Sequence, residues 1–210
     1  MTTPGTLAPS RVLPSNSDAS SSAERVLVAA AKRFAHYGFA GTSIRDIAAD
    51  LGINSATLYS HFASKGDILR ELVRIGHQEL DKQISEAVQK VQNEDPATRL
   101  RALVEADARV HLQYLELARI NTFELHVLEP EAAAEAAAIR QRWRNHALEI
   151  LDEGIATGQF TEVDPRLAVR AASDIVRAIP RWYNPELGGA EEIARRYGDF
   201  AVRLVGGIEE

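Results

Sequence analysis

The sequence predicts an all-α protein of about nine helices, a small N-terminal three-helix unit followed by a larger C-terminal helical domain. Three observations carry that expectation. Apolar residues recur at i, i+3, i+4 and i+7 along most of the chain, and alternating β-branched runs are absent. Ser-x-x-acid capping boxes (Ser21/Glu24, Ser43/Asp46, Ser64/Asp67) crowd the first third, each a helix start in which side chains satisfy free backbone N–H groups. Charge is also divided. Residues 22–70 hold six Lys/Arg and four Asp/Glu, net +2, and residues 1–21 cancel, which leaves −8 on residues 71–210 of a chain whose total is −6. Two modules with different partners would produce such a split.

Composition sets the outer limits. The chain has 210 residues, 45% hydrophobic and 26% charged, enough for a proper core and typical of a globular protein. It has no cysteine, which excludes disulfides and thiolate metal sites. No apolar run approaches the ~20 residues needed to span a bilayer. Residues 1–20 are rich in Ser and Pro and lack a signal peptide's apolar stretch, so a disordered arm and a cytoplasmic location are expected.

The elements follow in order. After Ser21 the first helix carries the stripe Leu27, Ala30, Ala31, Phe34 and ends at Gly38. Ser43 opens the second, with Ile44, Ile47, Ala48 and Leu51 on one face, and Gly52 supplies a left-handed stop. Asn54 caps a short third helix, which Leu58 and Phe62 would dock. Ser64 starts a long fourth helix to about Val91. Asp95-Pro96 opens a fifth to about Leu117, and a short sixth covers roughly Arg119 to Leu128. Pro130 opens the alanine-rich seventh, and Asp164-Pro165 an eighth that ends near Pro180 and Pro185. The ninth is expected to bury Ile193, Tyr197, Phe200, Ala201 and Leu204. The implied division is 1–20 arm, 21–66 helix-turn-helix domain and 67–210 ligand-binding and dimerisation domain.

The stretch "GINSATLYSHFASKGDIL", residues 52–69, has a thin apolar face, with Leu58 and Phe62 alone repeating at a helical interval. A helix of about eight residues, a Gly-containing turn and this second short helix form a helix-turn-helix, whose second helix enters the DNA major groove. Small hydroxyl side chains suit close approach to bases and phosphates.

Residues 22–69 resemble the DNA-binding domain of TetR-family transcriptional regulators. The resemblance rests on Gly38-aromatic, Thr42-Ser43, Ile47-Ala48, Leu51-Gly52-Ile53, Leu58-Tyr59, His61-Phe62 and Ser64-Lys65. It implies a homodimer on double-stranded operator DNA with a small-molecule pocket in the C-terminal domain. By position, Arg45, Ser55, Ala56, Thr57, Tyr59 and Ser60 would face the groove or its edges, while Tyr59, His61 and Lys65 would hold phosphates. Ser60 and Gly66 depart from the family's usual bulkier or charged residues, which bears on the operator sequence.

The C-terminal segments "DIVRAIPRWYNP" and "EEIARRYGDFAVRLVGG" are similar to the ends of TetR-type repressors of fatty-acid or sterol breakdown, which respond to acyl-CoA thioesters. That likeness makes an acyl-CoA the expected effector. On an ideal helix Arg166, Arg170, Arg177 and Arg181 fall within about 60° of one another, with Leu167, Ala171, Ile175, Ala178 and, if the helix continues, Trp182 on the neighbouring face. Arg177 and Arg181 are therefore candidate phosphate ligands and Trp182 a stacking surface, against the alternative of a solvated arginine row beside a core tryptophan. Asn121 and His126 are further pocket candidates, and Arg140 and Arg144 either bind anions or pair with Glu131 and Glu135. The eighth and ninth helices should form a four-helix dimer interface, with small residues Ala171, Ala172, Gly198 and Ala201 permitting close approach.

The six histidines offer no i, i+3 or i+4 pair, so no metal site is expected, and no cofactor either. A helical-bundle enzyme lacks its motifs here: there is no nucleophile elbow, phosphate loop or HExxH. A ligand-binding module without DNA binding is the remaining alternative.

Overall fold

A computed structural model describes residues 11–14, 21–161 and 164–206, and within them the chain forms nine α-helices and no strand. The helices are α1 (Ser22–Tyr37), α2 (Ile44–Leu51), α3 (Ser55–Tyr59), α4 (Lys65–Lys90), α5 (Pro96–Gln113), α6 (Leu115–Phe123), α7 (Pro130–Ala156), α8 (Pro165–Trp182) and α9 (Ala190–Leu204). Short 3-10 turns at Leu125–Val127 and Pro185–Leu187 follow α6 and α8.

The expected starts hold at atomic detail. Ser43 Oγ accepts from Asp46 N at 3.2 Å while the Asp46 carboxylate accepts from Ser43 N at 2.8 Å. Ser21 and Ser64 accept from the N–H groups of Glu24 and Asp67. Gly52 is left-handed at φ 65°, and Asp95 and Asp164 cap α5 and α8 ahead of their prolines.

Three boundaries differ from expectation. The α3 helix has five residues, because Ser60 already caps it. The expected run to Leu117 breaks at Tyr114 (φ −124°, ψ 62°), so the sixth helix starts at Leu115. No glycine or proline marks that break; Tyr114 is 4% exposed in the core, and packing there sets the chain's course. Pro180 neither ends nor interrupts α8, which runs on to Trp182.

Two apolar clusters hold the molecule together. One joins α1, α2, α3 and the first turns of α4 to Val110, Tyr114, Leu117 and Ile120, so the N-terminal unit packs on α5 and α6. The other joins α5, α7, α8 and α9. Of the expected disordered arm, residues 11–14 are described, and part of them is packed: Leu13 is buried in the first cluster and Val12 lies against it, while Arg11 is exposed. The rest of residues 1–20 lies outside the described residues.

The dimer-contact expectation needs correction. Ala172, Gly198 and Ala201 are buried within the chain, and only Ala171 is half-exposed. A Cβ at Gly198 would lie 2.9 Å from the Arg101 carbonyl oxygen, so this glycine lets α9 close on α5. The small residues serve an internal crossing. Phe200 and Leu204, expected inside, are instead exposed, and with Leu167 and Trp182 they give α8 and α9 an outward apolar face.

Candidate nucleic-acid interface and effector cavity

The α3 helix is held from below and open above. Leu58 is fully buried, whereas Arg45, Ala56, Thr57, Tyr59, Ser60 and His61 are exposed and Ser55 is half-buried. Asn54 Oδ1 accepts from Thr57 N at 2.8 Å and from the Thr57 hydroxyl at 3.0 Å, and the Ser60 hydroxyl donates to the Thr57 carbonyl at 2.7 Å. With those protons engaged, the outward lone pairs of both hydroxyls are acceptors, suited to the amino groups of adenine and cytosine. Behind this surface Arg33 makes a bidentate pair with Asp50 at 2.6 and 2.7 Å, clamping α1 to α2.

Lys65 occupies a different place from the phosphate role expected of it. Its ammonium donates to the carbonyls of Phe39 (2.7 Å) and Thr42 (2.8 Å) and lies 4.0 Å from the Phe39 ring centroid. Two of its three donors thus tie the start of α4 to the α1–α2 turn.

The second site is a cavity of about 60 Å³ lined from α4, α5, α6, α7 and α8, room for about four to six waters. Leu80, Val110, Leu117 and Ala118 supply its apolar wall. Its interior is also polar. His77, Asp107, His111 and Trp143 all line it and are buried. Burial holds the His77 pKa down at about 4, and Arg140 and His111 push the same way. For His111 burial also opposes the charged form, but the hydrogen bond and charge of Asp107 win and hold its pKa above the ordinary value.

Half-buried Arg140, Arg144 and Arg177 form the cationic edge. Arg177 hydrogen-bonds Ser173 Oγ at 2.6 Å and meets Asp174 at 3.2 Å, and Arg144 hydrogen-bonds Gln141. Arg140 makes no ion pair among the described residues; burial and its two arginine neighbours lower its pKa from the ordinary value. The alternative pairing with Glu131 and Glu135 is not formed.

Of the residues expected in the pocket, the cavity contains Asn121 and Arg177. His126 is exposed on the turn after α6, its Nδ1 2.8 Å from the Phe123 carbonyl. Arg181 sits over the Phe123 ring at 4.9 Å. Trp182 stacks on Tyr197 of α9, ring centroids 6.3 Å apart, on the outward apolar face. The reason is axial: Arg181 lies one turn beyond Arg177, and continuation of α8 past Pro180 carries Arg181 and Trp182 beyond the end of the cavity. The sequence reading missed the Asp107/His111 pair as pocket residues. Its signal was an acid and a histidine four apart on a helix, the spacing of facing side chains.

The described residues contain no group of three or more His, Asp or Glu placed to hold a metal. No described helix is long and apolar enough to cross a membrane.

Comparison with known proteins matches the chain in two parts. Residues 26–72 match the bacterial regulatory proteins, tetR family, and residues 93–205 match the tetracyclin repressor-like C-terminal domain. The HTH-type transcriptional repressor KstR2 of Mycobacterium tuberculosis H37Rv is 30% identical over 195 residues, 87% of this chain and 90% of the relative. PfmR, a TetR-family regulator from Thermus thermophilus, is 34% identical, with TM-score 0.76 over 89% of this chain and all of that one. AibR in complex with isovaleryl coenzyme A and operator DNA superposes with TM-score 0.76 at 24% identity, over 89% of this chain and 99% of AibR. With its helix-turn-helix and its C-terminal domain both matched, this chain belongs to the TetR family of bacterial transcriptional regulators.

Proposed function

We propose that this protein is a homodimeric, sequence-specific repressor that an acyl-CoA releases from its operator. The observation that carries DNA reading is the arrangement of α3, with one fully buried anchor, Leu58, beneath a continuous exposed face of Ser, Thr, Tyr and His. Groove contact falls to Arg45, Ser55, Ala56, Thr57, Tyr59 and Ser60, with His61 and Tyr59 at the phosphates. The outward face formed by Leu167, Trp182, Phe200 and Leu204 is the pairing surface. Such a regulator works where the chromosome is, in the bacterial cytoplasm.

The effector reading rests on Arg140. A half-buried guanidinium without an acidic partner, beside Arg144 and Arg177 and an apolar wall, is matched to an anion with an apolar part. The cavity is too small for a whole CoA, so the acyl group enters and the phosphates stay at the arginine edge. AibR, whose fold this chain shares, was solved with isovaleryl coenzyme A and operator DNA.

Fluorescence anisotropy with DNA from upstream of the protein's own gene tests both halves. Binding should be at nanomolar protein, and isovaleryl-CoA or butanoyl-CoA should reverse it where free CoA does not. Absence of binding to that DNA and to a randomised operator library would remove the repressor reading. Binding that no acyl-CoA weakens would remove the effector class.

A further inference from the structure

Three residues that line the cavity each carry a buried polar atom with no well-placed hydrogen-bond partner among the described residues: Asp107 Oδ1, Asn121 Oδ1 and Trp143 Nε1. His111 Nδ1 lies 2.9 Å from the Asp107 carbonyl and 3.1 Å from Asp107 Oδ1, and its one proton cannot serve both along good lines. That carboxylate oxygen still has the His111 ring beside it. Asn121 and Trp143 have no such compensation, and Trp143 is 5% exposed.

An apolar ligand filling this space would leave these groups unpaired and dry, the least favourable state for a buried donor or acceptor. The unmet demands have a definite chemistry. The indole N–H needs an oxygen to donate to, and the two carbonyl-type oxygens need a donor. A hydroxyl meets both kinds of demand, a ketone meets only the indole's, and a plain hydrocarbon meets neither.

We propose that the cavity selects a short acyl group bearing a hydroxyl over its plain hydrocarbon counterpart. This rests on the cavity being the effector site, and it makes the effector an oxygenated acyl thioester. The available space matches an acyl group of about four carbons with its hydroxyl, since it holds about four to six waters. The thioester's phosphates remain with Arg140, Arg144 and Arg177. Such an effector is an intermediate of acyl-chain oxidation or hydration, so the reactions that supply or consume it are acyl-thioester hydratases and dehydrogenases.

Calorimetry with matched probes decides it: butanoyl-CoA, the 2-, 3- and 4-hydroxybutanoyl-CoA isomers, acetoacetyl-CoA, free CoA, and butanoate with 3-hydroxybutanoate. At least one hydroxyacyl thioester should bind about tenfold or more tighter than butanoyl-CoA, as expected of a site built to hydrogen-bond a hydroxyl. Acetoacetyl-CoA should fall between them. Trp143→Phe and Asn121→Ala, checked for native far-UV circular dichroism, should bring the ratio of hydroxybutanoyl-CoA to butanoyl-CoA affinity towards parity. Butanoyl-CoA binding as tightly as every hydroxy isomer overturns the inference and leaves the acyl-CoA reading standing. If no thioester outdoes free CoA but 3-hydroxybutanoate outdoes butanoate, the CoA reading fails and the hydroxyl selectivity survives. Silence from all probes removes both.

Discussion

Apart from Arg45, the side chains proposed to read DNA lie within residues 54–61, a single short helix and its flanks, whereas the cavity collects its lining from Gly76 to Arg177 over five helices. The two sites also treat their polar groups differently. On α3 the hydroxyls of Thr57 and Ser60 are committed locally and the rest of the face is open. In the cavity Asn121 and Trp143 keep polar atoms buried and unpaired. A local site is written in consecutive residues and needs only a cap and an anchor. A non-local site exists only after the helices have packed, and its polar demands are then set by what it binds.

The sharpest break between them should come from the dimer. Two recognition helices act together only when spaced to reach major-groove faces about 34 Å apart, while five helices of its own chain already wall the cavity. Leu167→Glu combined with Phe200→Glu places charge on the outward α8–α9 face without touching either core, since both side chains are exposed. Sedimentation should show monomers, and operator affinity should fall by about 10³-fold or more, towards the non-specific level. Acyl-CoA binding by calorimetry should stay within about threefold of the parent, the scale left by surface changes of about half a kcal/mol. Dimers that persist would move the interface off this face, and lost ligand binding would show that the partner completes the cavity.

A smaller effect separates the groove face from its support. If Lys65 held a phosphate, Lys65→Ala would make the salt slope of operator binding shallower by about one. Its ammonium instead ties the Phe39 and Thr42 carbonyls, and Thr42 is 2% exposed. The substitution should therefore lower stability to urea by about 1–3 kcal/mol and weaken all DNA sequences alike with the slope unchanged. A shallower slope at unchanged stability would return Lys65 to the phosphates.

Lys65 also shows where sequence reading stops. Helix starts were legible because caps act within four residues, and the recognition helix because its register of Gly, Ser, Leu-Tyr and Phe is contiguous. The ammonium's partners lie 23 and 26 residues upstream, so nothing local announces them. The same holds for Ala172, Gly198 and Ala201: small residues at helical spacing signal a close crossing, but whether with α5 or with a second chain depends on tertiary packing. Arg177 was legible from its arginine row. Arg181 and Trp182 were placed with it because a wheel gives angle and not depth, and here α8 runs on past the end of the cavity.

The cavity's packing has one consequence readable without any ligand. His77 is 3% exposed, its Nδ1 lies 3.0 Å from the Val73 carbonyl, and its pKa is held at about 4 against an ordinary 6.5. Between those values the unfolded chain binds a proton that the folded one does not, so stability is full above about 6.5 and falls as pH drops towards 4. The upper bound on the loss is about 3 kcal/mol. His111 works in the opposite sense: its folded pKa is raised, so its contribution is complete below the unfolded value and is lost as pH rises through the folded one. Below 6.5 the His111 contribution is therefore constant and cannot mask that of His77. Carboxylates with lowered pKa, such as Asp95 and Glu71, add their own acid-side loss in parent and variant alike. The difference between them isolates the histidine. Urea unfolding at pH 7 and pH 5 should show the parent losing more stability than His77→Gln, whose amide keeps a donor for Val73 without a titrating proton. His111→Gln should flatten the alkaline limb and leave the acid one. Equal acid-side losses in parent and His77→Gln would mean that this imidazole takes up a proton without leaving its place, and that the cavity wall already tolerates a further cation beside Arg140.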